Sequence, residues 1–158
     1  MSGDRALSGT GERLFLRHFG SDEARWTRQP AVLELDCRGR CTSALQAAAA
    51  RAQLIHAPAD LEIEGPVTLG SPVRPLIVVA AGRIRLLGGV QFYGVLHARD
   101  LAWDDTGATP AWLRGAAVAQ QDYRGNGAAD FIYDPAVLGR LQRDAGSWVR
   151  VPGSRRDQ

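Results

Sequence analysis

Lysine is missing altogether: the 158 residues carry 19 basic side chains, and every one is arginine. Without lysine no G-x-x-x-x-G-K-[ST] phosphate loop can exist, and the G-x-S-x-G signature of serine hydrolases is absent as well. Alanine (24), glycine (18) and arginine (19) are all abundant, so the arginines read as a composition bias along the whole chain, not as a local cluster built for phosphate. Methionine occurs only as Met1. No apolar run approaches the roughly 18 residues that a membrane-crossing helix needs, so this sequence is expected to make no membrane contact of its own. Charge of one sign is also lacking. The 17 acidic residues are interspersed with the basic ones and the formal net charge is +2, which leaves no field for nucleic acid or anionic lipid.

Cysteine is scarce too, with only Cys37 and Cys41 in the string CRGRC. Three scattered histidines, His18, His56 and His97, form no ligand pair, so neither a metal nor a cofactor is expected. The spacing is one residue too long for a C-x-x-C redox motif. Gly39 at the centre makes closure of the small loop sterically feasible, and a structural disulfide, two buried thiols and redox chemistry stay open as readings. A disulfide would put the folded chain in an oxidising compartment.

What remains has the make-up of one globular unit, 45% apolar and 23% charged. Residues 1–11 are small and polar, lack the apolar core of a secretory signal, and read as a flexible N-terminus. Residues 12–60 read as a mainly helical segment. A first helix carries Leu14, Phe15 and Phe19, and a second is capped by Ser21 with Asp22 and Glu23 in its first turn and stopped by Pro30. Residues 31–36 alternate as a short strand, and Thr42 or Ser43 caps an alanine-rich helix running to about Gln53.

After Leu54 helical periods give way to apolar alternation broken by glycine. Sliding the chain by 23 residues superposes Leu61 on Ile84, Ile63 on Leu86, Gly65 on Gly88, Val67 on Val90 and Leu69 on Phe92. Weaker echoes set PLIVVA (75–80) beside YGVLHA (93–98) and RGAAVA (114–119), at offsets of 18 and 21. Self-similarity near 20 residues is the mark of a solenoid. Residues 61–133 are therefore predicted to form a short parallel β-helix, with Gly65, Gly70, Gly82, Gly88, Gly94 and Gly115 at its corners. Leu61, Ile63, Val67, Leu69, Ile77, Val79, Ile84, Leu86, Val90, Phe92, Val95 and Val118 are the predicted inward positions. The competing fold is an antiparallel sheet turning at Gly88-Gly89 and Asn126-Gly127. Residues 134–158 give a helix with Asp134 as cap and Pro135 first, carrying Val137, Leu138 and Leu141, then a polar tail. One helix is expected to cover each open end of the solenoid.

The acidic residues offer little catalytic pattern. Asp100, Asp104 and Asp105 sit together in RDLAWDDTG on one expected loop, where Asp104 with Thr106 and Gly107 reads as a turn, Asp122 and Asp130 lie elsewhere, and His97 lies in an alternating strand without a nucleophile. No catalytic residue and no small-molecule substrate are assigned. Trp103 and Trp112 flank the DDTGATPA loop and, with Asp104 and Asp105, form a candidate partner surface, whose competing reading is packing beneath the loop.

The order LGSPVRPLIVVAAG, LLGGVQFYGVLHA, RGAAVAQ, GNGAADFIYDPAVLGRL, VRVPGSRRD resembles the C-terminal region of PilX-type pilus assembly proteins. The resemblance covers residues 14–157. Its most specific positions are Gly70, Pro72 and Pro75 in LGSP…P, Tyr133, Asp134 and Pro135 in YDPAVL, and Pro152 and Gly153 in VPGS. Arg155 departs from it, standing where the family pattern has tryptophan, and the family's prepilin leader and long apolar helix have no counterpart in these residues. The resemblance implies a non-enzymatic, minor pilin-like component of type IV pili, with pilus proteins as partners and the periplasm or cell surface as its place. The carbohydrate-active β-helix enzymes and the bactofilin-like polymerising solenoids are the competing functions.

Overall fold

The computed structural model describes residues 22–104, 110–125 and 129–144, so the predicted first helix with Leu14, Phe15 and Phe19, the Ser21 cap, Asp105, the 126–127 turn, Pro152 and Gly153 lie outside the described residues. Strands dominate. They are β1 (Val32–Glu34), β2 (Gly39–Arg40), β3 (Leu54–Ala57), β4 (Leu61–Glu64), β5 (Val67–Leu69), β6 (Leu76–Ala80), β7 (Arg83–Leu87), β8 (Val90–Asp104), β9 (Trp112–Gly125) and β10 (Asp130–Tyr133). The helices are α1 (Glu23–Thr27), α2 (Thr42–Arg51) and α3 (Pro135–Asp144).

All ten strands pair in parallel in one sheet wound into a β-solenoid of about four turns. The antiparallel alternative is thereby excluded. Leu61, Ile63, Val67 and Leu69 pair in register with Ile84, Leu86, Val90 and Phe92, the 23-residue slide read from the sequence. The weaker echoes hold as well: Val78 sits beside Leu96, which sits beside Ala117. Like positions stack because each coil buries its alternate residues only by laying them on those of the coil before.

Three strips of strand make three faces. The first face stacks β1, β3, β6, the middle of β8 and the middle of β9. The second stacks β2, β4, β7 and the ends of β8 and β9, and the third stacks β5, the starts of β8 and β9, and β10. The coils therefore begin at Val32, not at residue 61, and β1 to β3 turn the expected helical segment into the first coils. Of these strands β1 lies within the one expected over residues 31–36, whereas β3 is only four residues long and buried throughout, so it shows no alternation.

Inside, Ile55, Leu61, Ile63, Leu69, Val78, Ile84, Leu86, Phe92, Leu96 and Trp103 are among the members of a single apolar column. Ile77, Val79 and Val95, predicted inward, belong instead to a separate cluster outside the first face, where Trp26 of α1 and Leu141 of α3 cover them. Val118, in register with His97, follows the same outward row. Every residue of β6 is buried, so its period of two cannot tell inside from outside.

The helices are placed by this packing. Leu45 and Ala48 of α2 enter the column against β4 and β5 and close its N-terminal end, as expected of a cap. Cys41, not Thr42 or Ser43, is the N-cap residue of α2 and makes no side-chain cap bond. The Thr42 hydroxyl instead accepts from the Glu64 amide at 2.8 Å, tying the helix to the next coil. In α1, Asp22 is the cap, accepting from the Arg25 amide at 2.8 Å. The second expected end cap is not one: α3 lies along the flank, against β8 and β9, with Leu141 on the first face.

Cys37 and Cys41 are joined by a disulfide, which resolves the three readings of that pair.

Candidate functional site

Five of the residues most specific to the resemblance, Gly70, Pro72, Pro75, Asp134 and Pro135, lie at turns and at a helix start. Gly70, at φ +77°, turns the corner after β5, where an added Cβ would come 2.7 Å from the Tyr93 carbonyl oxygen. Pro72 and Pro75 bracket a turn in which the Ser71 hydroxyl accepts from the Arg74 amide at 3.0 Å. Asp134 caps α3, its carboxylate accepting from the amides of Ala136 and Val137 at 3.1 and 3.2 Å, and Pro135 begins the helix. Tyr133 is exposed.

The candidate partner surface does not hold together. Trp103 is 1% exposed, its indole N–H donates to the Gly88 carbonyl at 3.2 Å, and it packs inside the column. Asp104 is exposed, while Asp105 lies outside the described residues. Trp112 is half-buried on the third face, edge-on to Tyr93 at 4.9 Å with the Arg114 guanidinium 5.3 Å from its ring. Trp103 and Trp112 thus point to opposite sides of the sheet.

The outer second face is charged, and parallel stacking neutralises much of it. Glu62 stands between Arg40 at 3.7 Å and Arg85 at 3.5 Å, and Arg40 also reaches Glu64 at 3.2 Å. Further along, Arg99 bonds Asp100 and Arg124 bonds Asp122, each at 3.0 Å. A shallow depression of about 360 Å³ lies between Arg83, Arg85, Asp100, Asp122 and Arg124. These are exposed pairs worth at most about 1 kcal/mol each, so they reward the in-register pairing without dominating stability. Among the described residues no three His, Cys, Asp or Glu side chains gather as metal ligands.

Among the described residues the histidines lie on the covered first face. His97 is 1% exposed and in register with Val79 and Val118. His56 is buried between two carboxylates, Glu23 of α1 at 4.0 Å and Glu34 of β1 at 3.9 Å. Desolvation nevertheless holds its pKa below the usual 6.5, with Glu34 pulling the other way. The unfolded chain binds a proton that folded His56 resists, so its contribution is complete above the unfolded value and falls as pH drops below about 6.5. Urea titrations between about pH 8 and 5.5 are expected to show stability falling with acid, and His56→Gln to flatten that slope. An unchanged slope would place the titration elsewhere.

The feature sequence reasoning missed is the far end of the column. Tyr123 and Phe131 continue the interior rows of Leu101 and Leu113, yet they are 43% and 44% exposed, and among the described residues no further coil covers them. Their rings meet edge-on at 5.3 Å, and Phe131 meets Trp103 at 5.5 Å, so an aromatic stack runs from the core to the surface. Of the four large hydrophobic side chains that are exposed among the described residues, Tyr123, Phe131 and Tyr133 belong to this last coil. The signal was present in the sequence as aromatics at inward positions of this repeat, but only their exposure gives it meaning. Beyond Gly115, β9 has no strand partner on its outer side among the described residues. Comparison of the chain with protein-family models, with curated proteins and with solved structures returns no match.

Proposed function

We propose that this chain is a non-enzymatic interaction module of type IV pilus assembly, a β-solenoid that works in the periplasm or at the cell surface by presenting its last coil to other pilus proteins. The observation that carries the interaction reading is the aromatic end of the column, where Tyr123, Phe131 and Tyr133 are exposed, against Val73 alone elsewhere among the described residues. Exposed apolar groups gathered at one place mark a surface that binds. The pilus assignment rests on the resemblance of residues 14–157, and the Cys37–Cys41 disulfide suits the oxidising compartment it implies. The motif residues Gly70, Asp134 and Pro135 serve turns and caps, which is what a family defined by a scaffold requires.

The test is complementation. In a Gram-negative host lacking its PilX-type protein, this chain exported behind a prepilin helix is expected to restore piliation and twitching. A fusion that is exported and folded yet rescues neither would overturn the assignment. The carbohydrate-active alternative would use Asp100 and Asp122 in the second-face depression, where each carboxylate is already bonded to an arginine. Turnover across a polysaccharide panel, lost in Asp122→Ala, would favour that reading.

A further inference from the structure

The edge of β9 beyond Gly115, which has no outer strand partner among the described residues, has a charge pattern that is complementary to itself. Asp122 and Arg124 flank Tyr123 and share the outer side of the second face, in register with Asp100 and Ala102. If a second β9 ran antiparallel beside the first, centred on Tyr123, each Asp122 would stand opposite the other copy's Arg124. Each Gln121 would stand opposite a Gly125, where no side chain obstructs. Antiparallel pairing brings directly opposed side chains within about 5.5 Å, close enough for two ion pairs across the junction. The existing Arg124–Asp122 contact, with the two side chains 85% and 56% exposed, would exchange for equivalent contacts between copies. The two Tyr123 rings would meet on the interior side, extending the stack Trp103–Phe131–Tyr123 from one column into the other.

The other end of the solenoid limits what can form. A head-to-tail contact would need the first coil's interior, and α2 closes it with Leu45 and Ala48. Pairing of like end with like end is isologous and closes after two copies. We therefore propose that the chain forms a two-fold dimer, tail to tail, by antiparallel pairing of β9 edges centred on Tyr123. The proposal rests on the last coil being the binding end, and it does not depend on the pilus assignment, which complementation tests separately.

Sedimentation of the whole chain is expected to give twice its 17.0 kDa mass at tens of micromolar. Asp122→Arg and Arg124→Asp each place like charges opposite one another in both junction pairs and are expected to weaken the dimer at least about tenfold. Mixed in equal amounts, the two variants regain complementary pairs, and the mixture is expected to recover the dimer. The Asp122→Arg/Arg124→Asp double variant is expected to do the same alone. Both positions are exposed, and unchanged far-ultraviolet circular dichroism will show that the variants fold. Three results would each overturn the proposal: a monomeric parent chain at about 100 μM, the range of very weak association; a dimer indifferent to the single reversals; or masses growing beyond two copies. A monomer would assign the edge to another occupant, whether the chain's own tail or a pilus protein.

Discussion

Gly94→Val is expected to cost more than about 4 kcal/mol, in the range reserved for overpacking and backbone strain, and to lower Tm by about 10 °C or more. Gly94 lies in β8 where the third face turns into the first, at φ +136°, a conformation that L side chains rarely adopt. It is stacked between Leu76 and Gly115. A Cβ there would run into the Leu76 carbonyl oxygen, a backbone atom fixed by the strand ladder on both sides. Gly115 repeats the arrangement one coil later, its Cβ position occupied by the Gly94 carbonyl oxygen. Relief would require separating the coils, and separation breaks the pairing that builds the column. Gly139→Ala in α3 is the control. Its nearest neighbour is the far end of the Arg143 side chain at 3.4 Å, so a gain of up to about 1 kcal/mol is expected from helix propensity alone. Thermal unfolding of the two variants side by side tests the stacking, and equal Tm values would refute it.

Trp103→Ala is expected to cost about 3–5 kcal/mol, the usual loss for emptying a buried tryptophan site. Part of that loss is the bond from the indole to the Gly88 carbonyl, which would be left to find another donor. The remainder is the void between Leu86 of the coil below and Gly125 of the coil above, the residues in register with Trp103. Phe131 would also lose its inner ring contact. Trp112→Ala is expected to cost less, the loss of its half-buried ring area plus about 1 kcal/mol for its edge-on contact with Tyr93. Denaturant unfolding separates the two cases. If Trp103 were a partner contact, its removal would leave the denaturation midpoint where it was and act only on binding.

Those two tryptophans mark how far the sequence could be read. Aromatics at both ends of a turn-rich string suggest a pair on one surface, but position 103 follows the inward row of Leu86 and position 112 the outward row of Gln91. Alternation within each strand was legible. The phase between them was not, because the intervening corner sets it. The same difficulty reversed the inward set on the first face: β6 is buried on both sides, so Ile77 and Val78 look alike until Trp26 and Leu141 are seen to cover one of them.

What the sequence determined by itself was the repeat. Offsets of 23, 18 and 21 residues became the pairing registers of the coils, because stacked coils bury their side chains only when equivalent positions coincide. The missing lysine, which excluded phosphate-loop chemistry, also left arginine as the sole cation in the outer ladders. Tertiary structure alone decided that α3 covers a flank and that Tyr123 and Phe131 stand exposed. A helix with an apolar side and a strand with an apolar row each state that they need a partner, and neither names it. The partner is set by which surfaces the winding of the chain brings within reach.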